Sequence, residues 1–310
     1  MEREISERLT RDAHAIEYPR EHGFVMLVVL WVLTSAVILV SSFNGAVRGS
    51  TASVVSEVGW TKSEALVDAG VEVAAAHLID QNDNRRWPGD GVKHSIKFAG
   101  AELSISATDA NGFIDLNKSD EKLLLSFFQK FTRSAIKAQK ITDVVMKARE
   151  AATGTGKQSQ TDAASNAPLD TFSARAAFID VWELGRTKGI PVDLFNRVVP
   201  YLTVYSRDGT IDPIAAPNAV LEAIPDLSRA DIEKLKYASK SALEDVAQNA
   251  KAYVTDQSGP AYLVTVSAHR PNDSYGINRT FVIATGVDPS APYRMLAKSP
   301  MVSVPAEKTQ

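Results

Sequence analysis

The stretch that decides the fold is Arg20 to Phe43, REHGFVMLVVLWVLTSAVILVSSF, in which a glycine precedes an uncharged apolar run. The run from Phe24 to Phe43 has about 20 residues and, at about 1.5 Å per residue, reaches about 30 Å, the thickness of the hydrocarbon core of a bilayer. A buried helix of a soluble domain normally keeps a polar face, whereas Val25 to Leu33 is apolar on all sides. We therefore predict a transmembrane helix at residues 24–43.

The leader before this run, residues 1–23, mixes acidic residues with its arginines. A cleaved secretory signal has a basic leader, a shorter apolar segment and a small-residue cleavage site after it, so cleavage at the far end of the run is disfavoured. The alternative is cleavage before the run, between Gly23 and Phe24. That arrangement resembles the type IV prepilin class, in which a prepilin peptidase cuts after a glycine and the new N-terminal residue is methylated. The resemblance implies Gly23 and Phe24 as the processing site and the peptidase as a partner.

Val28 is the residue five places after that glycine. Most pilins and pseudopilins carry a glutamate there, which is costly in lipid unless it finds a partner. The minor pseudopilin K family of type II secretion usually lacks this glutamate, and GFVMLVVLWVL is similar to its anchor. The resemblance implies a single-pass protein of the inner membrane with a periplasmic C-terminal domain. It also implies minor pseudopilins I and J as partners, at the tip of the pseudopilus, where a neutral Val28 needs no amine from a subunit above.

Composition bounds the remaining possibilities. The chain has 310 residues, of which 45% are hydrophobic, a formal net charge of −3 and no cysteine. Such a chain buries a real core, and it has neither a disulfide framework nor a thiolate metal site. Without a global basic field, no nucleic-acid partner is expected.

Beyond the membrane, apolar residues recur at helical spacing with charged residues between them, which predicts that the helix continues to about Asp80. The segment at 92–109, VKHSIKFAGAELSISATD, alternates apolar and polar residues and predicts a hairpin that turns at Ala99-Gly100. Residues 252–271 and 277–286 alternate in the same way and predict a second hairpin, connected through NDSYG. The two hairpins together predict a small antiparallel sheet.

The residues between the hairpins are mainly helical in pattern. A turn is predicted at Asn111-Gly112, with Asn117 or Ser119 as the cap of a helix whose buried side is Leu123, Leu124, Phe127, Phe128 and Phe131. Helical spacing continues to about residue 152, and the polar stretch at 153–168 predicts a loop in preference to a functional lid. Its GTGK is not a phosphate loop, because Gln158 follows Lys157 where a hydroxyl is required.

Two short helical hairpins follow, at 178–206 and 215–240. The first turns at Gly189-Ile190-Pro191 with Asp193 as the predicted cap, and the second turns at 225–227 with Ser228 as the cap. Helix-hairpin-helix modules bind DNA when backbone N–H groups and basic residues meet phosphates. The second turn instead presents a carboxylate, so a packed helical module is favoured. A membrane-anchored helix-hairpin-helix DNA-binding protein remains the alternative function.

Further motifs are similar to the pseudopilin K family in their order along the chain. They are D-x-x-G-x-I-x-L-N at 109–117, LTVYS at 202–206, A-P-x-x-V-L at 216–221 and PY-x-x-L at 292–296. Asp212 stands where the family commonly has asparagine, and the tryptophan that often follows the last motif is missing. The resemblance covers Gly23 to about Lys298.

The resemblance implies an α+β fold in which a pilin-like long N-terminal helix packs on a small antiparallel sheet with an inserted all-α (helix-hairpin-helix/SAM-like) domain. The predicted organisation is a leader at 1–23, a transmembrane helix at 24–43, the pilin helix and first strands at 44–116, the inserted helical domain at 117–250, returning strands at 251–298 and a tail at 299–310.

No motif for catalysis is present. The five histidines share no short spacing, and neither H-E-x-x-H nor G-x-S-x-G occurs. We therefore predict a non-enzymatic protein that assembles with other subunits and needs no cofactor. Pseudopilins of this system often bind calcium, but the family's acidic D-W-x-D segment is replaced by VVMKAREAATGTGK at 144–157. Calcium stays possible, with its ligands unidentified.

Overall fold

The computed structural model describes residues 22–154, 176–237, 250–271, 275–287 and 290–305, and only the backbone at 42–58 and at a few element ends. Residues 1–21 of the predicted leader, 155–168 of the predicted loop and 306–310 of the predicted tail lie outside the described residues. The chain divides into two compact units, one ending at Thr61 and one beginning at Lys62, and each is described by itself.

The first element is helix α1, His22–Leu78, which has 57 residues. It begins beside the glycine that precedes the apolar run and ends within two residues of the predicted end at Asp80. The carboxylate of Asp80 accepts the backbone N–H of Asn82 at 2.9 Å, so a local turn replaces the next helical hydrogen bond. The continuous helix across 24–78 confirms the helical reading of this part of the sequence.

The second unit contains an antiparallel sheet. Its strands are β1 Asp90–Phe98, β2 Ala101–Asp109, β5 Ala261–His269, β6 Tyr275–Thr285, β7 Tyr293–Lys298 and β8 Val302–Pro305. They lie in the order β1-β2-β5-β6-β7, and β8 also pairs with β6. The first predicted hairpin is confirmed, and the second is confirmed with a shorter first strand. Residues 252–260, which were predicted to be part of that strand, precede β5, and Ala250–Tyr253 forms a 3-10 helix. At the first turn, Ala99 and Gly100 have φ angles of 49° and 78°, the positive values that a tight two-residue hairpin turn requires.

Two details of the sheet differ from the prediction. The predicted tail at 299–310 includes strand β8, whose Val302 to Pro305 pair with Asn278 to Tyr275. Strand β6 also begins at Tyr275, so part of the predicted connection NDSYG is strand. Four residues are too few for an alternating pattern to stand out from a loop, and pairing with a longer strand is what makes β8 extended.

One face of the sheet packs on the C-terminal part of α1. The fully buried side chains of this core include Val67, Val71, Val264, Val266 and Phe281. Alternate residues of β2 and β5 supply the sheet side, as the two-residue period of a strand dictates. A Cβ atom at Gly70 would lie 2.5 Å from Cγ1 of Val266, so the helix approaches β5 this closely only because position 70 has no side chain.

Charged residues flank this core along one side of α1. Arg279 Nη1 pairs with Glu64 at 2.9 Å, and Lys298 Nζ pairs with Glu64 and with Asp68 at 3.4 and 3.1 Å. The hydrogen bond from Arg279 and then that from Lys298 hold the pKa of Glu64 below its usual value. These pairs join α1 to β6 and to the end of β7.

Between β2 and β5 the chain leaves the sheet and forms an inserted, mainly helical region. Strands β2 and β5 are hydrogen-bonded neighbours, with Asp109 opposite Tyr262. The helices of the insertion are α2 Glu121–Thr132, α3 Ala135–Gly154, α4 Trp182–Arg186, α5 Val192–Val198, α6 Asn218–Leu221 and α7 Arg229–Tyr237. Their core surrounds Phe127 and Phe128, whose rings meet at a centroid distance of 5.4 Å.

The insertion is not entirely helical. Strand β3, Ile114–Asp115, pairs in parallel with strand β4, Leu202–Thr203. This pairing brings the motif at 109–117 beside the motif at 202–206. Strands of two residues carry no periodic signal, so the sequence did not predict them.

Three predicted helix caps have different outcomes. The cap of α2 is Asp120, which accepts the backbone N–H of Lys122 at 2.8 Å, and not Asn117 or Ser119, whose side chains bind distant segments. The predicted cap at Asp193 is wrong. The N-cap residue of α5 is Pro191, which makes no side-chain hydrogen bond, and Asp193 lies in the first turn of the helix. Ser228 is confirmed, because its Oγ accepts the N–H of Asp231 while the Asp231 carboxylate accepts the N–H of Ser228, both at 3.2 Å.

Candidate functional site

The N-terminal part of α1 is the first candidate region. Among the described residues, one helical stretch, Phe24–Ser41, is long and apolar enough to cross a membrane. Phe24 and Val28 lie one helical turn apart, with 71% and 41% of their surfaces exposed. The hydroxyl of Thr34 donates to the carbonyls of Leu30 and Trp31 at 3.0 and 2.9 Å, so this polar group is satisfied within the helix itself. An apolar helix with internally satisfied polar groups is what a hydrocarbon environment requires.

Gly23, the predicted cleavage residue, is the second residue of α1 and directly precedes Phe24. The structure thus brings Gly23, Phe24 and Val28 into the first two turns of one helix. Processing at this site stays a prediction.

The second candidate region is a buried polar junction at 109–119, which sequence reasoning treated only as a motif. At its centre Asp115 is fully buried. One carboxylate oxygen accepts the backbone N–H groups of Asn117 and Lys118 at 2.7 and 2.9 Å, and the other accepts the N–H and the hydroxyl of Ser206, both at 2.9 Å. A buried carboxylate with four donors is a rigid structural centre, because its charge is satisfied by fixed dipoles.

Arg149 closes the junction from α3. Its guanidinium donates to the carbonyls of Leu116 and Ser119, both at 2.8 Å, and of Asp115 at 3.2 Å. Burial lowers the pKa of Arg149, and the nearby Asp115 carboxylate partly offsets that effect. The planar fork of an arginine reaches three carbonyls of one turn at once, which a lysine does not. An isolated arginine in a helical pattern is ordinarily a surface residue, so this role of Arg149 could not be predicted from the sequence.

Long-range contacts attach the same turn to the rest of the insertion. The side-chain amide of Asn117 both donates to and accepts from the backbone of Phe178, at 2.8 and 2.9 Å. Ser119 Oγ donates to the carbonyl of Gly209 at 3.2 Å. Lys118 Nζ donates to the carbonyl of Ser206 at 2.7 Å. These bonds explain why Asn117 and Ser119 do not cap α2.

A second carboxylate of the junction, Asp109, lies where β2 leaves the sheet. It is fully buried and accepts the N–H of Asn111 at 2.8 Å and that of Gly259. Burial raises the pKa of Asp109 to about 6, although both backbone hydrogen bonds oppose the shift and the nearby Asp212 adds to it. Burial also raises the pKa of Asp212, the residue that stands where the resemblance leads one to expect asparagine.

The carboxylates of this junction bind the protein's own N–H and O–H groups. Among the described residues, no group of three or more histidine, aspartate or glutamate side chains is arranged to hold a metal ion. The predicted possibility of calcium therefore gains no ligand set from this part of the chain.

The two helical hairpins are formed as predicted at their turns. Gly189 has a φ of 103° in the first turn, and Asp226 has a φ of 61° in the second. The second turn therefore carries an acidic residue in the left-handed region, where DNA-binding hairpins present glycine backbone to phosphate.

Comparison with known proteins gives a likeness of fold. No family model and no curated protein matches the sequence. Among solved structures, the chain is similar to GspK in the crystal structure of the GspK-GspI-GspJ complex from the type 2 secretion system of enterotoxigenic Escherichia coli. The TM-score is 0.54 at 12% identity, and the match covers 79% of this chain and 97% of that one. The α+β fold with an apolar N-terminal helix, an antiparallel sheet and several helices is thereby confirmed.

Proposed function

We propose that this protein is a minor pseudopilin that assembles with other pilin-like subunits at the tip of a type II secretion pseudopilus and performs no catalysis. The observation that carries the proposal is the architecture. An apolar helix continues into a helix packed on an antiparallel sheet, and a helical region is inserted between two paired strands of that sheet. The solved chain with a similar fold belongs to a secretion complex.

In the proposed maturation, a prepilin peptidase first removes residues 1–23, and Phe24 is then methylated. The segment at 24–43 then anchors the protein in the inner membrane, and the residues beyond it lie in the periplasm. The exposed apolar surface of Phe24–Ser41 supports the anchor. The domain limits predicted above, with the inserted domain at 117–250 and the returning strands at 251–298, belong to the same proposal.

The proposed partners are minor pseudopilins I and J, the counterparts of the two proteins that share the complex of the solved neighbour. Val28 supports a place at the tip. A glutamate at this position in lipid needs a partner, which in a pseudopilus is the N-terminus of the subunit above. A terminal subunit has no such partner, so valine avoids an unpaired charge.

The first experiment measures the intact mass and N-terminal sequence of the protein, expressed with and without a prepilin peptidase. We expect a mature chain that begins at Phe24, with an added methyl group, only when the peptidase is present. Gly23→Val should block processing. Gly59→Val is the matched control on the same helix, since a Cβ added at Gly59 meets no atom within 4 Å. Retention of Met1 with an active peptidase would contradict the proposed processing.

The second experiment isolates the processed protein and identifies what is bound to it. Recovery of pseudopilins I and J is expected. Recovery of other periplasmic proteins without either pseudopilin would refute the tip assignment.

The alternative of a DNA-binding protein has a direct test. The full chain in nanodiscs is titrated with duplex DNA at rising salt. Specific phosphate contacts would give affinities that fall steeply as salt rises. We expect no such binding, because the second hairpin turn carries Asp226 in place of a glycine.

A further inference from the structure

A cleft of about 660 Å³ lies between the inserted helical region and the sheet face that points away from α1. Leu263, Val282 and Ala297 form its floor, since they lie opposite one another on β5, β6 and β7. Their chain neighbours Val264 and Phe281 point the other way, into the core against α1. The floor is therefore an apolar part of the second sheet face.

The inserted region supplies the opposite wall, which includes Trp182, Pro200 and Tyr205. Trp182 remains 56% exposed although its ring packs edge-on against Phe195 at a centroid distance of 5.4 Å. Aromatic side chains at the mouth of a cleft offer both apolar contact and a ring face that attracts cations.

The cleft lining contains one carboxylate that has no described cation beside it. Among the described residues that line it, two are charged, Asp180 and Lys298. The Lys298 ammonium is paired with Glu64 and Asp68 on α1, whereas no described cation lies within ion-pair distance of Asp180. Asp180 accepts the backbone N–H of Trp182 at 3.1 Å, which holds the carboxylate beside the indole. Burial, and then the charge of Asp180, raise the pKa of Tyr205, so the field of this carboxylate reaches the wall of the cleft.

We propose that this cleft binds an extended segment of a partner protein in which an arginine or lysine lies between apolar residues. The apolar side chains lie against Leu263, Val282 and Pro200, and the cation lies at Asp180 beside the Trp182 ring. The Asp180 carboxylate selects the basic residue, and a volume of this size holds a few side chains. This site is independent of the proposed secretion role, because it rests on the geometry of the cleft alone.

The test uses the full chain in nanodiscs and two fluorescein-labelled peptides that differ in one residue. One peptide has the central sequence Leu-Arg-Leu and the other Leu-Gln-Leu, and fluorescence anisotropy measures their binding. We expect the arginine peptide to bind saturably with a Kd below about 1 mM and the glutamine peptide to bind about tenfold more weakly. The difference should shrink as salt rises, because Asp180 is exposed to solvent.

Two variants examine the two halves of the site. Asp180→Asn keeps an oxygen to accept the N–H of Trp182 but removes the charge, so it should lower the affinity for the arginine peptide about tenfold, to that of the glutamine peptide. Ala297→Phe fills the floor and should abolish binding of both peptides. Asp193→Asn, which changes an exposed acidic residue on α5 that does not line the cleft, is the matched control and should leave both affinities unchanged.

Several outcomes would overturn the proposal. They are equal affinity for the two peptides, no saturable binding of either, or an unchanged affinity in Asp180→Asn. A dimer of the full chain that Ala297→Phe dissociates would identify a second copy as the occupant and would also overturn it. Thermal unfolding of each variant shows whether it is folded. If Ala297→Phe does not fold, the affinities of Asp180→Asn for the two peptides decide between the proposal and its rejection.

Discussion

Substitution of Gly70 by alanine should destabilise the protein, although alanine is the better helix former. In an exposed helix interior this change stabilises by about 1 kcal/mol. At position 70, however, the new Cβ would lie 2.5 and 3.0 Å from the two Cγ atoms of Val266. Overpacking of a core typically costs about 1–3 kcal/mol, and a buried valine has few rotamers to escape into. Because a 2.5 Å contact with a stiff side chain requires something to shift, we place this site in the upper part of that range, at about 2–3 kcal/mol. After subtraction of the gain in helix propensity of about 1 kcal/mol, the expected net loss is about 1–2 kcal/mol.

The assay is thermal unfolding of the full chain in nanodiscs, followed by circular dichroism. Gly59→Ala is the matched control, because an added Cβ there meets no atom within 4 Å and the helix propensity gain stands alone. The double variant Gly70→Ala with Val266→Ala should lose less free energy of unfolding than the sum of the losses in the two single variants, by at least about 1 kcal/mol. The smaller side chain at position 266 makes room for the new methyl group.

Two results would refute this reasoning. One is a Gly70→Ala variant that unfolds at the same or a higher temperature than the wild type, as Gly59→Ala is expected to do. The other is strict additivity in the double variant. Either would mean that α1 does not approach β5 as closely as described.

Three further predictions concern the polar junction. The pKa of Asp109 in the folded protein, about 6, lies above the ordinary value, so the folded protein binds this proton more tightly than the unfolded chain. Relative to Asp109→Asn, the wild type should therefore lose on the order of 2–3 kcal/mol of stability as pH rises from about 4 to about 7. A stability difference between the two proteins that does not change with pH would contradict this. Gly209→Ala should lower the free energy of unfolding by about 3 kcal/mol or more in chemical denaturation, because the φ of Gly209 is 85° and a Cβ would lie 2.4 Å from the carbonyl carbon of Lys118. Gly100→Ala is the control and should cost only about 1 kcal/mol, because the φ of Gly100 is 78° but a Cβ there would meet no atom within 4 Å. Similar losses for both variants would argue against the contact with Lys118. Arg149→Met should cost about 3 kcal/mol, because it removes the guanidinium from three buried carbonyls, of which that of Asp115 keeps, among the described groups, only the N–H of Ser119 as donor. Arg149→Lys should restore less than half of that loss, so full rescue by lysine would refute the need for a planar fork.

Features with a local cause were predictable from the sequence. The hairpin at Ala99-Gly100 follows from alternation on both sides of a residue pair that accepts positive φ. The buried side of α2 follows from the spacing of Phe127 and Phe128 with the leucines one turn earlier. The apolar run after Gly23 likewise predicts a helix by its own composition. The candidate residues Phe24 and Val28 are identified by their positions in that run.

Features that depend on distant partners were not predictable. Asn117 and Ser119 have the right side chains to cap a helix, but their partners lie 61 and 90 residues further along the chain. Strand β8 is extended because β6 is beside it, and four residues carry no pattern of their own. Arg149 and Asp180 likewise have ordinary local sequence, and only the folded structure shows what surrounds them.

The position of the insertion also bears on the order of folding. Asp109 and Gly259 are hydrogen-bonded although 150 residues separate them, so β2 and β5 pair only after a very long loop has closed. Loop closure on that scale is slow for an unfolded segment, whereas the contact between α2 and α3 closes over short distances in sequence. A collapsed insertion brings its own two ends together and shortens the effective loop. The helices of the insertion are thus expected to form first, and the sheet that supports them is completed last.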